Sequence, residues 1–378
     1  MRLLKVLELS SLDVNYFSLA TLKPLIHLKY LAVSTREVDF HAEPDLPNLE
    51  TLIVKYFIRR SVLPATFWKF EKLRHVDINN GVFDLENNKQ RIFEESSILE
   101  NLRVLRKVYF QTDQSDSVDV LLRRCPNLQE LDISIGANEN SAEFCPKLEC
   151  LTQLQIFRLS FQWPQIVSEL HLPSNLMKLV LEKTHIESAI SIVGELLCLE
   201  YLQLRSPYFS RSKEWCLRDI TSHKLKFLKL VGLCISRWDA LEESFPKLET
   251  PVIKGCYKLE EIPLSFADIP TLKQIKLINC NNKSLEASAV KIKEEVADIE
   301  GCDRIDFTIG HLQNLIKDTK YESFFLNVST SNSKSCSIER TKVNLKVIQL
   351  VVTKPDVAVE LDSEVYIDAR PFDLGTDA

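Results

Sequence analysis

The residues that could do chemistry are spread thinly along this chain. Its ten cysteines run from Cys125 to Cys336, and its seven histidines stand apart from one another. No H-E-x-x-H, C-x-x-C or G-x-S-x-G arrangement occurs, so neighbouring residues build neither a helix-borne zinc pair nor a nucleophile elbow. Cys145 and Cys150 are separated by four residues, and no histidine lies close in sequence to complete a zinc set. Arg103, Arg106, Lys107, Arg123 and Arg124 form a basic cluster, but Asp113, Asp116 and Asp119 interleave it. That is the pattern of a solvated face rather than of a phosphate cradle. The carboxylate pairs Glu242-Glu243 and Glu260-Glu261 fall in segments that read as exposed. These residues predict no enzyme, no metal site and no cofactor site.

The elements that would have to position any such residue are written in leucine. There are 56 leucines in 378 residues, 48 of them in residues 1–280, against only 8 glycines in the whole chain. They recur as one phrase, leucine, two residues, leucine, one residue, leucine. Its first copy is Leu4, Leu7, Leu9; a middle one is Leu199, Leu202, Leu204; the twelfth is Leu272, Ile275, Leu277. Copy five reads as Leu105, Val108, Phe110. Successive first leucines then lie 24, 21, 24, 32, 23, 26, 22, 23, 26, 23 and 24 residues apart. The alternating pair in each copy is a short strand with one buried face, and the remaining residues return the chain to start the next parallel strand. One such unit cannot bury its apolar face; stacked units share a continuous core. The predicted fold is therefore α/β, a leucine-rich-repeat solenoid. It has a curved parallel sheet of twelve short strands on its concave face and irregular or short helical segments on its convex face. The long interval predicts a surface insertion at 84–97. Cys256 and Cys280 fall eight residues after their first leucines, a position that turns out of the strand, so their thiols read as structural. Pro251 replaces a strand leucine and predicts an irregular strand there.

Alternation sends the residues flanking each buried pair to the concave face. The central one is Glu8, Ala32, Ile53, Asp77, Tyr109, Asp132, Arg158, Val180, Gln203, Lys229, Val252 and Lys276 in order. Three positions in each strand exceed the roughly 20–30 residues per side of a standard protein interface. Aromatic side chains mixed with charge are the composition of interface hot spots. The expected partner-binding patch is therefore Tyr109, Asp132, Arg158, Tyr201, Gln203, Arg205, Phe227 and Lys229.

Longer phrases carry a resemblance. The run Leu63, Pro64, Phe67, Leu73, Val76 resembles the "LPxxIxxLxxLRxL" phrase of plant intracellular immune receptors. Phe245, Pro246, Leu248, Cys256, Leu259, Ile262 and Pro263 resemble their late-repeat phrase. The run from Val118 through Arg123, Arg124, Cys125, Pro126 and Leu128 to Leu131 resembles the repeat region of the potato-type late blight resistance proteins. The likeness covers residues 1–320. It implies the sensing half of a coiled-coil, nucleotide-binding, leucine-rich-repeat receptor. Such a module would bind a pathogen effector or a guarded host protein in the cytoplasm, or at a membrane surface. It would also contact the receptor's nucleotide-binding domain, within one chain or in trans, and hold that switch off through its N-terminal repeats. This chain has no G-x-x-x-x-G-K-[ST] phosphate loop, so nucleotide is expected only in a switch domain outside it. The chain then reads as a fragment, a truncated product or a stand-alone repeat protein. An alternative use of such repeats is the substrate-recognition arm of an F-box-type ubiquitin ligase, and no F-box-like segment precedes Leu4.

Charge and the chain ends complete the reading. The net charge is −6, with seven acidic and two basic residues in 354–378, which is no footprint of a nucleic-acid binder. No apolar run approaches the roughly 20 residues needed to span a bilayer, and no signal peptide precedes the first repeat. The domain reading is a solenoid at 1–283, a helical C-terminal cap at 284–320, and a linker with an acidic tail and a possible β-hairpin at 321–378. In the cap, Leu285, Ala289, Ile292, Val296 and Ile299 share one helical face over 284–299, with Ser284 as N-cap and Gly301 as terminator. A first strand at Leu4 with nothing before it would leave a bare edge and predicts an aggregating chain.

Overall fold

A computed structural model describes residues 3–39, 46–56, 61–63, 67, 70–83, 98–111, 115–136, 146–165, 170–184, 192–205 and 213–310. The insertion at 84–97, the end of the cap at 311–320 and the tail at 321–378 lie outside the described residues, as does Cys145. The described residues form two compact units, one ending at Tyr109 and the next running from Phe110 to Gly310.

The first unit holds strands β1 (Val6–Ser18), β2 (Tyr30–Asp39), β3 (Thr51–Tyr56), β4 (Ser61–Leu63), β5 (His75–Phe83) and β6 (Val104–Gln111). The last two residues of β6 count with the second unit. All pairings are parallel, with β1, β2, β3, β5 and β6 side by side and β4 beside β5. The register stacks the repeated phrase on itself: Leu7, Leu31, Leu52 and Val76 align, as do Leu9, Val33, Val54 and Ile78. The first leucine of each phrase sits just before its strand and is fully buried at Leu28, Leu49 and Leu73. Its N–H donates to the carbonyl three residues back, as Leu28 N to Leu25 O at 2.9 Å and Leu49 N to Leu46 O at 3.1 Å. This closes the return segment into a turn that delivers the chain to the sheet.

That hydrogen-bond pattern corrects copy five. Leu102 N donates to Leu99 O at 3.1 Å, and Arg103 N and Val104 N both donate to Arg74 O. Val76 pairs with Leu105 and Asp77 with Arg106, after which the register jumps to Gly81 with Val108 and Val82 with Tyr109. The phrase therefore begins at Leu102, not Leu105, and lies 29 residues after Leu73 and 26 before Leu128. Leu102, Leu105 and Val108 are spaced by threes, so two positions of the phrase fit either frame, and the third favours the wrong one, with Phe110 there against Lys107 in the frame adopted. The turn at Leu99–Leu102 and the doubled bond to Arg74 O select the true frame. Lys107, at φ 62°, occupies the left-handed region where the strand changes register.

The second unit begins with helix α1 (Ser115–Arg123). A parallel series follows: β7 (Glu130–Gly136), β8 (Ile156–Gln165), β9 (Lys178–Thr184), β10 (Tyr201–Arg205), β12 (Phe227–Val231), β14 (Thr250–Lys254), β15 (Gln274–Ile278) and β16 (Asp306–Gly310). Leu131, Leu179, Leu202, Leu228 and Ile275 fill its interior. The return segments carry a second, two-stranded parallel pair, β11 (Glu214–Cys216) with β13 (Arg237–Asp239). There Trp215 stacks on Trp238 at 5.5 Å, and Trp238 meets the ring edge of Phe266 at 5.0 Å. Positive φ recurs at the equivalent residue of four repeats: Lys183, next to last in β9, and Gly232, Gly255 and Asn279, each just past its strand. At Gly232 and Gly255 the absent Cβ removes the cost of that turn.

Pro251 does not break β14. On the β12 side the register is continuous from Thr250 to Lys254; on the β15 side pairing starts only at Val252. The missing N–H costs contacts with one neighbour, so the expected irregularity is confined to that edge. Cys256 and Cys280 are buried where the chain leaves the strand. The Cys256 thiol donates to Leu230 O at 3.8 Å and Lys254 O at 3.5 Å, and the Cys280 thiol to Ile253 O at 3.4 Å. Burial pushes the Cys125 and Cys256 thiols up to about 12.

The segment after β15 differs from a purely helical cap. Helix α2 (Lys283–Glu300) is capped by Asn282, whose side chain accepts from Ser284 N, and ends at Gly301 in the left-handed region. Leu285, Ala289, Ile292 and Val296 are buried, whereas Ile299 is 61% exposed, so the apolar face is one residue shorter than the spacing predicts. The chain then adds strand β16 beside β15, with Ile275 opposite Phe307 and Leu277 opposite Ile309. The helix is thus the return segment of one more repeat. Register puts Arg304 where earlier copies have their first leucine, which hid this strand from the leucine count. Its guanidinium donates to Ile269 O, Pro270 O and Leu272 O at 3.4, 3.1 and 2.6 Å, and grips Glu300.

Two outcomes follow from this packing. Leu228→Ala empties a buried position and should lower the unfolding free energy by about 2–5 kcal/mol, whereas exposed Ile299→Ala should change it by about 0.5 kcal/mol or less. Urea denaturation of the two variants measures the difference. A thiol reagent at mildly alkaline pH should modify exposed Cys216 and Cys302 in the folded chain and reach Cys125 and Cys256 only after denaturant is added. Mass mapping that finds Cys256 modified first would contradict its burial.

Candidate recognition surface

The strands leave alternate side chains outside the leucine core. In the first unit the central row is Glu8, Ala32, Ile53, Asp77 and, by the corrected frame, Arg106. Tyr109, expected in that row, pairs with Val82 and is only 7% exposed. The three-residue shift of copy five carries its ring off the outward row. Local contacts occupy the acids here. Lys107 Nζ lies 3.0 Å from Asp77 Oδ1, and the Glu8 carboxylate accepts from Tyr30 and Ser10 hydroxyls. Burial alone would raise the Glu8 carboxyl; those hydrogen bonds and the charge of Lys55 bring it below the usual range.

The other seven expected residues lie on one face of the second unit, on β7, β8, β10 and β12. They divide by chemistry. Arg158 lies 3.6 Å from Asp132 and 3.9 Å from Glu130, so this end of the face is internally neutralised. Beside it Ser134 Oγ and Ser160 Oγ share a 2.7 Å hydrogen bond. Next comes an aromatic step. The Tyr201 ring carries Lys178 Nζ at 4.4 Å over one side and lies 6.5 Å from the Phe227 ring. The Tyr201 hydroxyl donates to Gln203 Oε1 at 3.0 Å, which orients the Gln203 amide, and burial raises the phenol's pKa. Phe227 is 42% exposed and presents an apolar surface to solvent. Arg205 stands 3.7 Å from Glu182. Lys229 is half-buried; burial first, then the positive charges of Lys254, Arg205 and Lys178, lower the pKa of its ammonium.

That last observation points to lysines that strand alternation already sets outward but that lie outside the expected patch. Lys276 stands in the row of Lys229, because register aligns Lys229 with Val252 and Val252 with Lys276, while Lys178 and Lys254 stand in the rows on either side, aligned with Phe227 and Val231. A search for aromatics mixed with charge favours single strands rich in both. The signal that finds these lysines is charge of one sign recurring across neighbouring strands, which needs the register.

The arrangement can hold a ligand by stacking, hydrogen bonds and charge over several strands. A surface of this breadth suits a macromolecule better than a small molecule. Among the described residues, no helix is long and apolar enough to cross a membrane.

No family model matches the chain. It is 33% identical over 329 residues to a late blight resistance protein homolog of Solanum demissum, covering 84% of this chain and 24% of that protein. It is 32% identical over 323 residues to a second such homolog of the same plant, covering 82% and 40%. A late blight resistance protein of that species is 32% identical over 281 residues, covering 71% and 21%. The chain thus spans between a fifth and two fifths of the length of these relatives. Among solved structures, a TLR13–ssRNA13 complex aligns with a TM-score of 0.43 and 18% identity, covering 82% of this chain and 53% of that one. A leucine-rich-repeat protein of Leptospira interrogans aligns at 0.31 and 15%, covering 78% and 90%. By its sequence and its own repeats, this chain is a leucine-rich-repeat homologue of the Solanum demissum late blight resistance proteins, two of which it matches over more than 80% of its length.

Proposed function

We propose that this chain is the recognition module of a plant disease resistance receptor, working by binding rather than by catalysis. The concave face of the second unit seats a protein partner, either a pathogen effector or a host protein that such receptors guard. The first unit meets the receptor's nucleotide-binding domain, supplied from outside these 378 residues, and restrains it until the partner arrives. The module needs no cofactor of its own, and it works in the cytoplasm. The observation that carries this reading is the 32–33% identity to late blight resistance proteins over most of the chain. The open aromatic and charged face is its physical support. Tyr201 and Phe227 offer apolar area at low entropic cost, and the charges beside them select among partners by complementarity.

The test uses the full chain, tagged and expressed in leaf tissue challenged with pathogen. A specific protein should co-purify, and purified components should then bind directly. Tyr201→Ala with Phe227→Ala should weaken that binding by about tenfold or more. Arg158→Glu with Lys229→Glu should abolish it. Melting temperatures within a few degrees of the parent would show that the loss is local. Binding unchanged by both double variants would place the partner away from this face.

A further inference from the structure

The outward positions of β9, β10, β12, β14 and β15 are charged unevenly. They carry Lys178, Arg205, Lys229, Lys254 and Lys276 against one carboxylate, Glu182, which is already engaged with Arg205 at 3.7 Å. Among the described residues, Lys229, Lys254 and Lys276 have no carboxylate within ion-pair distance. Other lysines of the same unit are paired: Lys226 with Glu200 at 2.9 Å and Lys273 with Glu249 at 2.7 Å, both beside the first leucine of a repeat rather than on the central row. The face therefore keeps repelling cations together where the fold shows it can neutralise them nearby. Such a cluster is relieved by negative charge from another molecule.

We propose that this cluster docks a carboxylate-rich segment of a protein partner, with acidic side chains on Lys229, Lys254 and Lys276 and an apolar side chain on Phe227. Resting on the recognition reading above, this assigns the chemistry of what that face recognises. The geometry sets a spacing. Lys229 and Lys276 stand two strands apart in register, roughly 10 Å at ordinary strand spacing. Three residues of a polyproline-II segment rise about 9 Å and bring the side chain back to the same face. A polyproline-II segment with an acidic residue at every third position therefore matches the spacing of Lys229 and Lys276, with Lys254 one row to the side between them. Burial first, and repulsion from neighbouring cations second, lower the pKa of Lys229, and a bound carboxylate reverses the second of these effects. A nucleic acid fits less well. Its charge continues along the backbone, whereas β7 places Glu130 and Asp132 on the same face and ends the cationic stretch.

The experiment is fluorescence anisotropy on the full chain with four probes. They are a labelled peptide with glutamate at every third position and tyrosine between, its glutamine counterpart, a single-stranded oligonucleotide of equal charge, and a peptide of residues 354–378. The acidic peptide should bind, and the glutamine peptide, which lacks the same charge pairs, should bind about a hundredfold more weakly. Lys229→Gln, Lys254→Gln and Lys276→Gln together should weaken the acidic peptide about a hundredfold, near fivefold per lysine, while Lys226→Gln with Lys273→Gln should change it less than about twofold. An acidic peptide indifferent to the triple variant overturns the proposal. An oligonucleotide that binds as tightly and loses the same lysines makes the face a polyanion site, and tighter binding by the 354–378 peptide gives it to the chain's own end; either overturns the partner assignment. Failure here is separable from failure of the recognition reading. A protein partner that survives the lysine triple but is lost with Tyr201→Ala and Phe227→Ala leaves the face intact and removes only its acidic ligand.

Discussion

A single carbonyl, repeated, organises this molecule. In the first unit the oxygens of Lys5, Lys29, Glu50 and Arg74 each accept two successive N–H groups from the next repeat, and in the second those of Gln129, Gln155, Met177, Glu200, Lys226 and Glu249 do the same. Each of these residues directly follows a first leucine. The doubled bond fixes where one strand starts relative to its neighbour, and the alternation of side chains does the rest. A slip of one residue would turn every leucine outward and every charge inward, so burial and hydrogen bonding enforce the same register. The leucine core, the outward rows and the neighbours of each charge all depend on that starting point.

With the register set, electrostatics becomes a property of rows rather than of single residues. Outward residues at one register position stand about 4.8 Å apart from strand to strand, close enough for charges to respond to one another. The row beside the first leucines mixes signs and alternates from Glu200 through Lys226 and Glu249 to Lys273, and Lys29–Glu50, Lys226–Glu200 and Lys273–Glu249 pair along it. These are exposed pairs of small individual worth, about 0–1 kcal/mol, which chiefly remove repulsion. The central row of the second unit is built otherwise. It runs from an acid with its own arginine, Asp132 and Arg158, through Gln203, to lysines that oppose one another. The leucines beneath supply the stability that lets such a row persist.

How much of this was legible depends on whether leucine marked the frame. Eleven of the twelve phrases read from the sequence lie in the frame that the ladders adopt, and Cys256 and Cys280 turn out of their strands as their offset predicts. Copy five failed because Leu102, Leu105 and Val108 form a ladder of threes and Lys107 stands at the third position of the true frame, so the apolar pattern points one step too far and only the backbone hydrogen bonds and register correct it. That one error placed Tyr109 on the surface when it is buried. Strand β16 was missed for a different reason. Arg304 replaces the leucine and meets the same need through its guanidinium, which holds three carbonyls at the turn. Aliphatic burial and a forked hydrogen-bond donor are interchangeable there, and a search for leucine sees only one of them.

The candidate site was legible residue by residue and illegible as a field. Every outward lysine follows from strand alternation alone, yet alternation gives Arg158 and Lys229 equal standing as surface charges. Their surroundings separate them. Arg158 has two carboxylates within 4 Å, so a ligand that takes it must first compete with Glu130 and Asp132 and then leave those acids without their counter-charge. Lys229 has cations for neighbours, so a carboxylate arriving there displaces nothing and relieves repulsion already present. Identical charge at equivalent repeat positions thus yields opposite binding tendencies. What decides between them is the residue one strand away, more than twenty positions distant in sequence and adjacent only because the leucines hold it there.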